Sequence, residues 1–192
     1  AVAARDAQAK ITTYAGDKAD NSAPTPGETG APTQADFEAM GVQGVRSAAD
    51  AGKPANLAAV LAALATDVVT SAKTASASLV QGIVDSYNKI LGLADGTPDN
   101  TTDAAATPVA TDYANIGLAA ASVTQLDDAS TLKLLNSAVD AQPATRATVD
   151  KPSEIQDLLN VVNKVLAYAK GGTTAPTLDE LALLGITGVT SD

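Results

Sequence analysis

The 192-residue chain contains no histidine, no cysteine and no tryptophan, and only one phenylalanine and one methionine. The commonest general base, the commonest thiol nucleophile and the usual transition-metal ligands are therefore missing. Their absence removes most enzyme classes, together with disulfide staples and thiolate metal sites. Aromatic residues make up 3% of the sequence, so a core has to come from Ala, Val, Leu and Ile, side chains that suit closely approaching helices. Positive charge is scarce as well: 12 Lys and Arg stand against 22 Asp and Glu, for a net charge of −10. Phosphate binding needs clustered cations that displace counterions, so this balance speaks against a nucleic-acid partner and against an anionic membrane surface. No apolar run approaches the roughly 18 to 20 residues of a membrane span, and the best one, Ala58 to Ala65, stops at Thr66 and Asp67. No membrane insertion is expected. Residues 1–10 carry Arg5, Asp6 and Gln8 where a secretory leader has an apolar stretch, and they read as the middle of a longer chain.

What is present is an internal repeat. The pattern Pro-x-x-x-acid-bulky-x-x-x-Gly-aliphatic occurs three times. The copies are Pro32, Asp36, Phe37, Gly41, Val42; then Pro108, Asp112, Tyr113, Gly117, Leu118; then Pro176, Glu180, Leu181, Gly185, Ile186. The first and third continue as Gly44-Val45 and Gly188-Val189, where the second has Ala120 and Ala121. A second pattern begins with Lys and Ile or Val, and reaches a bulky residue four positions after the Lys, followed by Ala. It appears at Lys10 to Tyr14, Lys89 to Leu93 and Lys164 to Tyr168. The lysines are 79 and 75 residues apart (89 − 10 and 164 − 89) and the prolines 76 and 68 (108 − 32 and 176 − 108), so two independent patterns share a similar period. We call them the closing motif (Lys) and the opening motif (Pro).

These patterns predict an all-α fold of tandem, small three-helix bundle repeats with partial repeat helices at both termini. The expected organisation is a closing helix over residues 1–16, a linker over 17–31, repeats over 32–96 and 108–171 separated by a linker at 97–107, and a linker with the next opening helix over 172–192. The linkers are rich in Asn, Ser, Thr, Pro and Gly. Thr33 with Asp36 and Thr177 with Glu180 have capping-box spacing, whereas Val109 cannot supply the hydroxyl, so the second opening helix should start more weakly. Gly41, Gly117 and Gly185 stand where a left-handed helix cap belongs. The middle helices carry Leu57, Val60, Leu61 and Leu64, and Leu132, Leu135 and Val139, with a blurred boundary near residues 71–78. The third helices follow i, i+3, i+4, i+7 through Val80 to Leu91 and Ile155 to Leu166, the second starting with a Ser153–Gln156 box after Pro152. Units of about 65 residues are marginal alone, so neighbours should pack together and residues 1–14 should be helical and docked.

Chemically active candidates are weak. Ser71 with Lys73 and Ser86 with Lys89 have the composition of Ser-Lys catalysis, a coincidence to be expected in a chain rich in Ala, Ser, Thr and Lys. Asp95, Asp99 and Asp103, and the pair Asp127 and Asp128, suggest calcium, but neither group has an EF-hand spacing. Gly171-Gly172 reads as linker, not as a phosphate loop. Tyr14 and Tyr168 share a position at a helix end, Tyr87 lies on a buried face and Tyr113 replaces Phe37, so all four read as packing residues. No catalytic, cofactor-binding or metal residue is assigned and no cofactor is expected.

The string from Pro176 to Asp192, its relative from Pro32 to Val45, and the following Asn56-Leu57-x-x-Val60 resemble the helical tandem repeats of giant bacterial surface adhesins, the biofilm-associated, RTX-like proteins secreted by type I systems. The resemblance implies an exported, extracellular stalk at the bacterial cell surface that is not an enzyme. Its partners would be adjacent repeats of the same chain, with a host or matrix protein as a further partner. Two functions follow as expectations: a structural spacer that supports adhesion or biofilm formation, or a helical module that itself grips a host protein or a neighbouring adhesin copy.

Overall fold

The computed structural model describes residues 2–16, 30–50, 53–96 and 107–190. Among these residues it is mostly helical and contains no strand; Asp50 and Lys53 form a lone antiparallel bridge. The helices are α1 (Val2–Gly16), α2 (Gln34–Ala39), α3 (Leu57–Leu64), α4 (Ala77–Leu93), α5 (Ala110–Asn115), α6 (Ala120–Gln125), α7 (Ala129–Asp140), α8 (Pro152–Ala169) and α9 (Leu178–Leu183), with a 3-10 turn at Ser71–Thr74. The linker over 17–31 and the one over 97–107 fall almost entirely outside the described residues, as do Asp99 and Asp103.

The three opening motifs form α2, α5 and α9, each six residues long. Helices this short do not persist on their own in water, because the few hydrogen bonds they make barely repay the cost of nucleation. Their ends explain why the motif is spelled as it is. The acid three residues after the cap accepts the cap's own backbone N–H: Thr33 N to Asp36 at 2.7 Å, Val109 N to Asp112 at 2.9 Å and Thr177 N to Glu180 at 2.7 Å. Only Thr177 completes a box, accepting from Glu180 N; the Thr33 hydroxyl instead donates to Asp36. The carboxylate half survives at Val109, so α5 is as long as its two relatives, contrary to the weaker start expected there. At the other end, the N–H groups of Val42, Leu118 and Ile186 reach back to the carbonyls of Phe37, Tyr113 and Leu181. Gly41, Gly117 and Gly185, at φ of 84°, 103° and 77°, supply the left-handed residue this closure needs.

The long helices are amphipathic as their spacing predicts. Val80, Ile83, Val84, Tyr87, Ile90 and Leu91 are buried along α4, and Ile155, Leu158, Leu159 and Val162 along α8. The blurred stretch near residue 71 is the 3-10 turn, after which Ser76 caps α4 by accepting from Leu79 N. Helix α8 begins differently from the expected Ser153–Gln156 box. Lys151 is its cap, Pro152 fills the first position and Glu154 takes the Lys151 amide, a start that uses proline's missing N–H and fixed φ. Gln156 is thereby released to accept from Ser122 of α6 at 2.7 Å.

Two further differences from the sequence reading, helix α6 and Tyr168, concern packing. Helix α6 was not anticipated: where the first copy has Gly44 at φ 82°, which turns the chain away, the second has Ala120, and the chain coils into another helix turn. The buried side chains form one contiguous core from Ile11 to Leu184, with α1, α4 and α8 each packed against the opening helix that follows. Tyr168, expected to pack like Tyr14, is 49% exposed, while Tyr14 rests against the core.

Two buried tyrosines carry polar tips. Tyr113 donates to Asn136 at 2.6 Å, and Asn136 in turn donates to the Pro108 carbonyl. Burial, reinforced by the charge of Asp112, holds the Tyr113 hydroxyl well above its ordinary pKa, so it acts only as a neutral donor. Phe37 stands in the first opening motif and Leu61 lies 75 residues before Asn136 (136 − 75), so the hydroxyl and the amide were exchanged for apolar groups together. Tyr113→Phe should lower the unfolding free energy by about 1–2 kcal/mol. Asn136→Leu should cost more, since it strands both the Tyr113 hydroxyl and the Pro108 carbonyl; urea denaturation of the two variants would reveal the order.

Candidate functional site

The two sequence motifs meet in space. Each closing-motif lysine bridges the acid of the opening motif that follows it: Lys10 to Asp36 at 2.8 Å, Lys89 to Asp112 at 3.0 Å and Lys164 to Glu180 at 2.7 Å. The intervening chain differs greatly, with partners 26, 23 and 16 residues apart, yet the contact is the same. One carboxylate thus does two tasks, capping its own short helix and tying that helix to the long helix before it.

The central joint is the most enclosed. The Asp112 side chain is only 8% exposed, and it accepts from both Lys89 and the Ser86 hydroxyl, the latter at 2.9 Å. Asn115 of α5 donates back to Ser86 at 3.0 Å. A buried carboxylate needs such a set of donors to offset its lost hydration. At the outer joints the balance appears in the acidities. For Asp36, burial works to raise the pKa, but the bonds from Lys10 and Thr33 outweigh it and hold the group below the ordinary range. Lys164, followed by the Thr177 amide, depresses Glu180.

Two other contacts recur at the joints. The cap glycine of the opening helix sits against the end of the preceding middle helix: a methyl group on Gly117 would fall 2.1 Å from the Thr66 hydroxyl, and one on Gly185 would fall 2.5 Å from the Ala141 side chain. Thr66 and Ala141 are 75 residues apart (141 − 66), the spacing of the lysines. Gly41, with α1 as the helix before it, faces open space. Tyr87 of α4 donates to the Val149 carbonyl, as Gln8 and Thr12 of α1 donate to the carbonyls of Ala75 and Thr74, again 75 or so residues earlier.

Asparagines organise the interior of the first segment. Asn56, 2% exposed, accepts from Arg46 N at 2.6 Å and donates to the Gly44 carbonyl and to Asn88 of α4. The asparagine ahead of α3, legible only as a helix start, is a hub that pins the loop after α2 to α4. No local pattern signals that job, because its partners lie 10, 12 and 32 residues away.

The weak chemical candidates resolve as follows. Ser86 and Lys89 are brought together, but both spend their donors on Asp112, so the pair belongs to the central joint. Ser71 and Lys73 lie in the 3-10 turn. Asp128 is the cap of α7, accepting from the Thr131 and Ser130 amides, which hold its acidity below the ordinary pKa. Among the described residues no three Asp or Glu side chains cluster so as to hold a metal ion, and no helix is long and apolar enough to cross a membrane.

Two tests follow from the joints. Gly41→Ala should cost about 1–2 kcal/mol for its left-handed backbone, whereas Gly117→Ala should cost a further 1–3 kcal/mol, roughly the penalty of an overpacked contact against Thr66. Equal losses in denaturant titrations would mean that this close approach carries no weight. Secondly, because the folded pKa of Glu180 lies below its unfolded value, the bridge stabilises α9 fully above about pH 5 and is lost as the pH falls through the folded pKa. The protection factor of the Leu184 amide, its exchange rate corrected for the intrinsic rate at each pH, should therefore fall on acidification, and Lys164→Met should largely remove that dependence; an unchanged profile in the variant would assign it elsewhere.

The chain matches no protein-family model, no curated protein and no solved structure.

Proposed function

We propose that the chain is a structural extender: tandem helical repeats of the kind found in giant bacterial surface adhesins, serving at the cell surface to hold binding domains at a distance. The observation that carries this reading is the recurrent joint. A spacer must transmit orientation from one unit to the next, and here each junction repeats the same Lys–acid bridge whatever the length of chain between the partners. Quasi-one-dimensional arrays of this sort draw their stability from nearest-neighbour interfaces, which a unit of about 65 residues needs.

The last opening helix supports the same reading. Ile186 and Val189 are 41% and 48% exposed, yet their counterparts Val42, Leu118 and Val45 are buried. Helix α9 thus carries apolar positions that a following middle and third helix would cover. In the three-helix reading the repeats run over 32–96 and 108–171, with α6 as an addition to the second.

Small-angle scattering on the chain and on a head-to-tail duplication of it tests the proposal. An extender should gain maximum dimension in proportion to the added length, and Lys89→Met should broaden the distribution of dimensions by loosening the central joint. A duplication that folds back without lengthening would overturn the reading.

A further inference from the structure

A cleft of about 300 Å³ opens where the first segment meets the loop between α7 and α8. Its walls carry Arg46, Lys53 and Arg146, and its floor is formed by Pro54, Leu91 and Gly92. Three of the chain's 12 basic residues therefore converge on one place in a protein of net charge −10. We propose that this cleft binds a small oxyanion, the carboxylate or phosphoryl group of a small ligand.

The repeat itself supplies the first argument. The lysines and acids of the joints have counterparts at the repeat spacing, and these three cations do not. Arg46 corresponds to Ser122 and Thr190 (46 + 76 and 46 + 144), Lys53 to Asp128 (53 + 75) and Arg146 to Ser71 (146 − 75). The second argument is the effort spent on holding them. Arg146 is the non-glycine residue at positive φ, 60°, among those described, a conformation that costs free energy and persists where the surroundings enforce it. Its Nε donates to the Leu91 carbonyl and another guanidinium nitrogen to Ala144, while Arg46 donates to Pro54, Gly44 and Asn88. Both planar groups are locked in place, and a guanidinium has five N–H donors, so each keeps donors for a ligand.

The third argument is electrostatic. Burial is the main effect that disfavours the charged form of Arg146; Asp95 opposes it, and the charge of Arg46 adds a smaller unfavourable effect. Two guanidinium groups that repel each other across an open cleft gain when an anion enters between them. The apolar floor, with a glycine in it, leaves room for the body of a small ligand behind its charged group.

The test titrates the full 192-residue chain with sodium phosphate and, separately, with sodium glucuronate, at constant ionic strength made up with sodium chloride, following the arginine Nε–H resonances by NMR. Saturable shifts of Arg46 and Arg146 with either probe are expected. A response to phosphate alone assigns a phosphoryl ligand, and a response to glucuronate assigns a carboxylate. Lys53 is exposed, so Lys53→Gln keeps the fold and should weaken binding about three-fold, with Lys53→Glu weakening it about ten-fold. Lys133→Glu, which makes the same change in net charge elsewhere, should have little effect. Shifts matched by chloride alone, no saturation with either probe, or equal effects of Lys53→Glu and Lys133→Glu would each overturn the proposal. None of these outcomes bears on whether the chain is an extender.

Discussion

The structure depends on a carboxylate that faces two ways. A six-residue helix has too few internal hydrogen bonds to hold itself, and most of its backbone groups are end groups. Asp36, Asp112 and Glu180 satisfy the first of those groups from within and, with the same side chain, draw a lysine from the preceding long helix. The opening helix is thus stabilised by being docked and docked by being capped. Removing the charge would disturb both at once, which is why an acid stands at this position in every copy although the residue after it varies among Phe, Tyr and Leu.

This arrangement lets the separation between lysine and acid vary. Closing a longer loop costs little more than closing a short one, since the entropy grows only as the logarithm of length. The separation between lysine and acid can therefore vary from 16 to 26 residues without altering the joint. What cannot vary is the space at the helix cap. Gly117 and Gly185 lie so close to the preceding middle helix that a single methyl group would collide, and the glycine that closes the short helix is also the surface on which the previous segment rests. Backbone conformation and inter-segment packing select the same residue for different reasons.

The long helices, their buried faces and the closure of the short opening helices were legible in the sequence because each is fixed by contacts within about four residues. The closing and opening motifs were legible too, but as separate marks at a common period; that Lys and acid are partners is invisible until the chain has folded, since they are always split by a linker. Asn56 was readable as a helix start and not as a hub, and Asp128 as one of a pair of carboxylates and not as the α7 cap. The cap of α8 was misread by two positions, Ser153 for Lys151, because Ser153 has the composition of a cap, whereas Pro152 decides where the helix can begin. Helix α6 escaped notice because it depends on what is missing, a left-handed glycine at position 120.

Departures from the repeat fall into two kinds, and the difference between them is informative. Some are compensated: the Tyr113 hydroxyl has Asn136 where the Phe37 copy has Leu61, and the loss of glycine at Ala120 is matched by α6, whose Ser122 finds Gln156. A buried polar group that appears without its partner would cost about 1–3 kcal/mol, so such changes persist only in pairs, and their existence says no more than that each copy is well packed. Arg46, Lys53 and Arg146 are of the other kind. Arg146 sits on a left-handed backbone, and nothing in the other segment repeats these three cations. A repeat selected only for length would lose such a cluster at no cost to its joints. Three cations that converge on one cleft, in a chain so poor in positive charge, are what an oxyanion ligand would use.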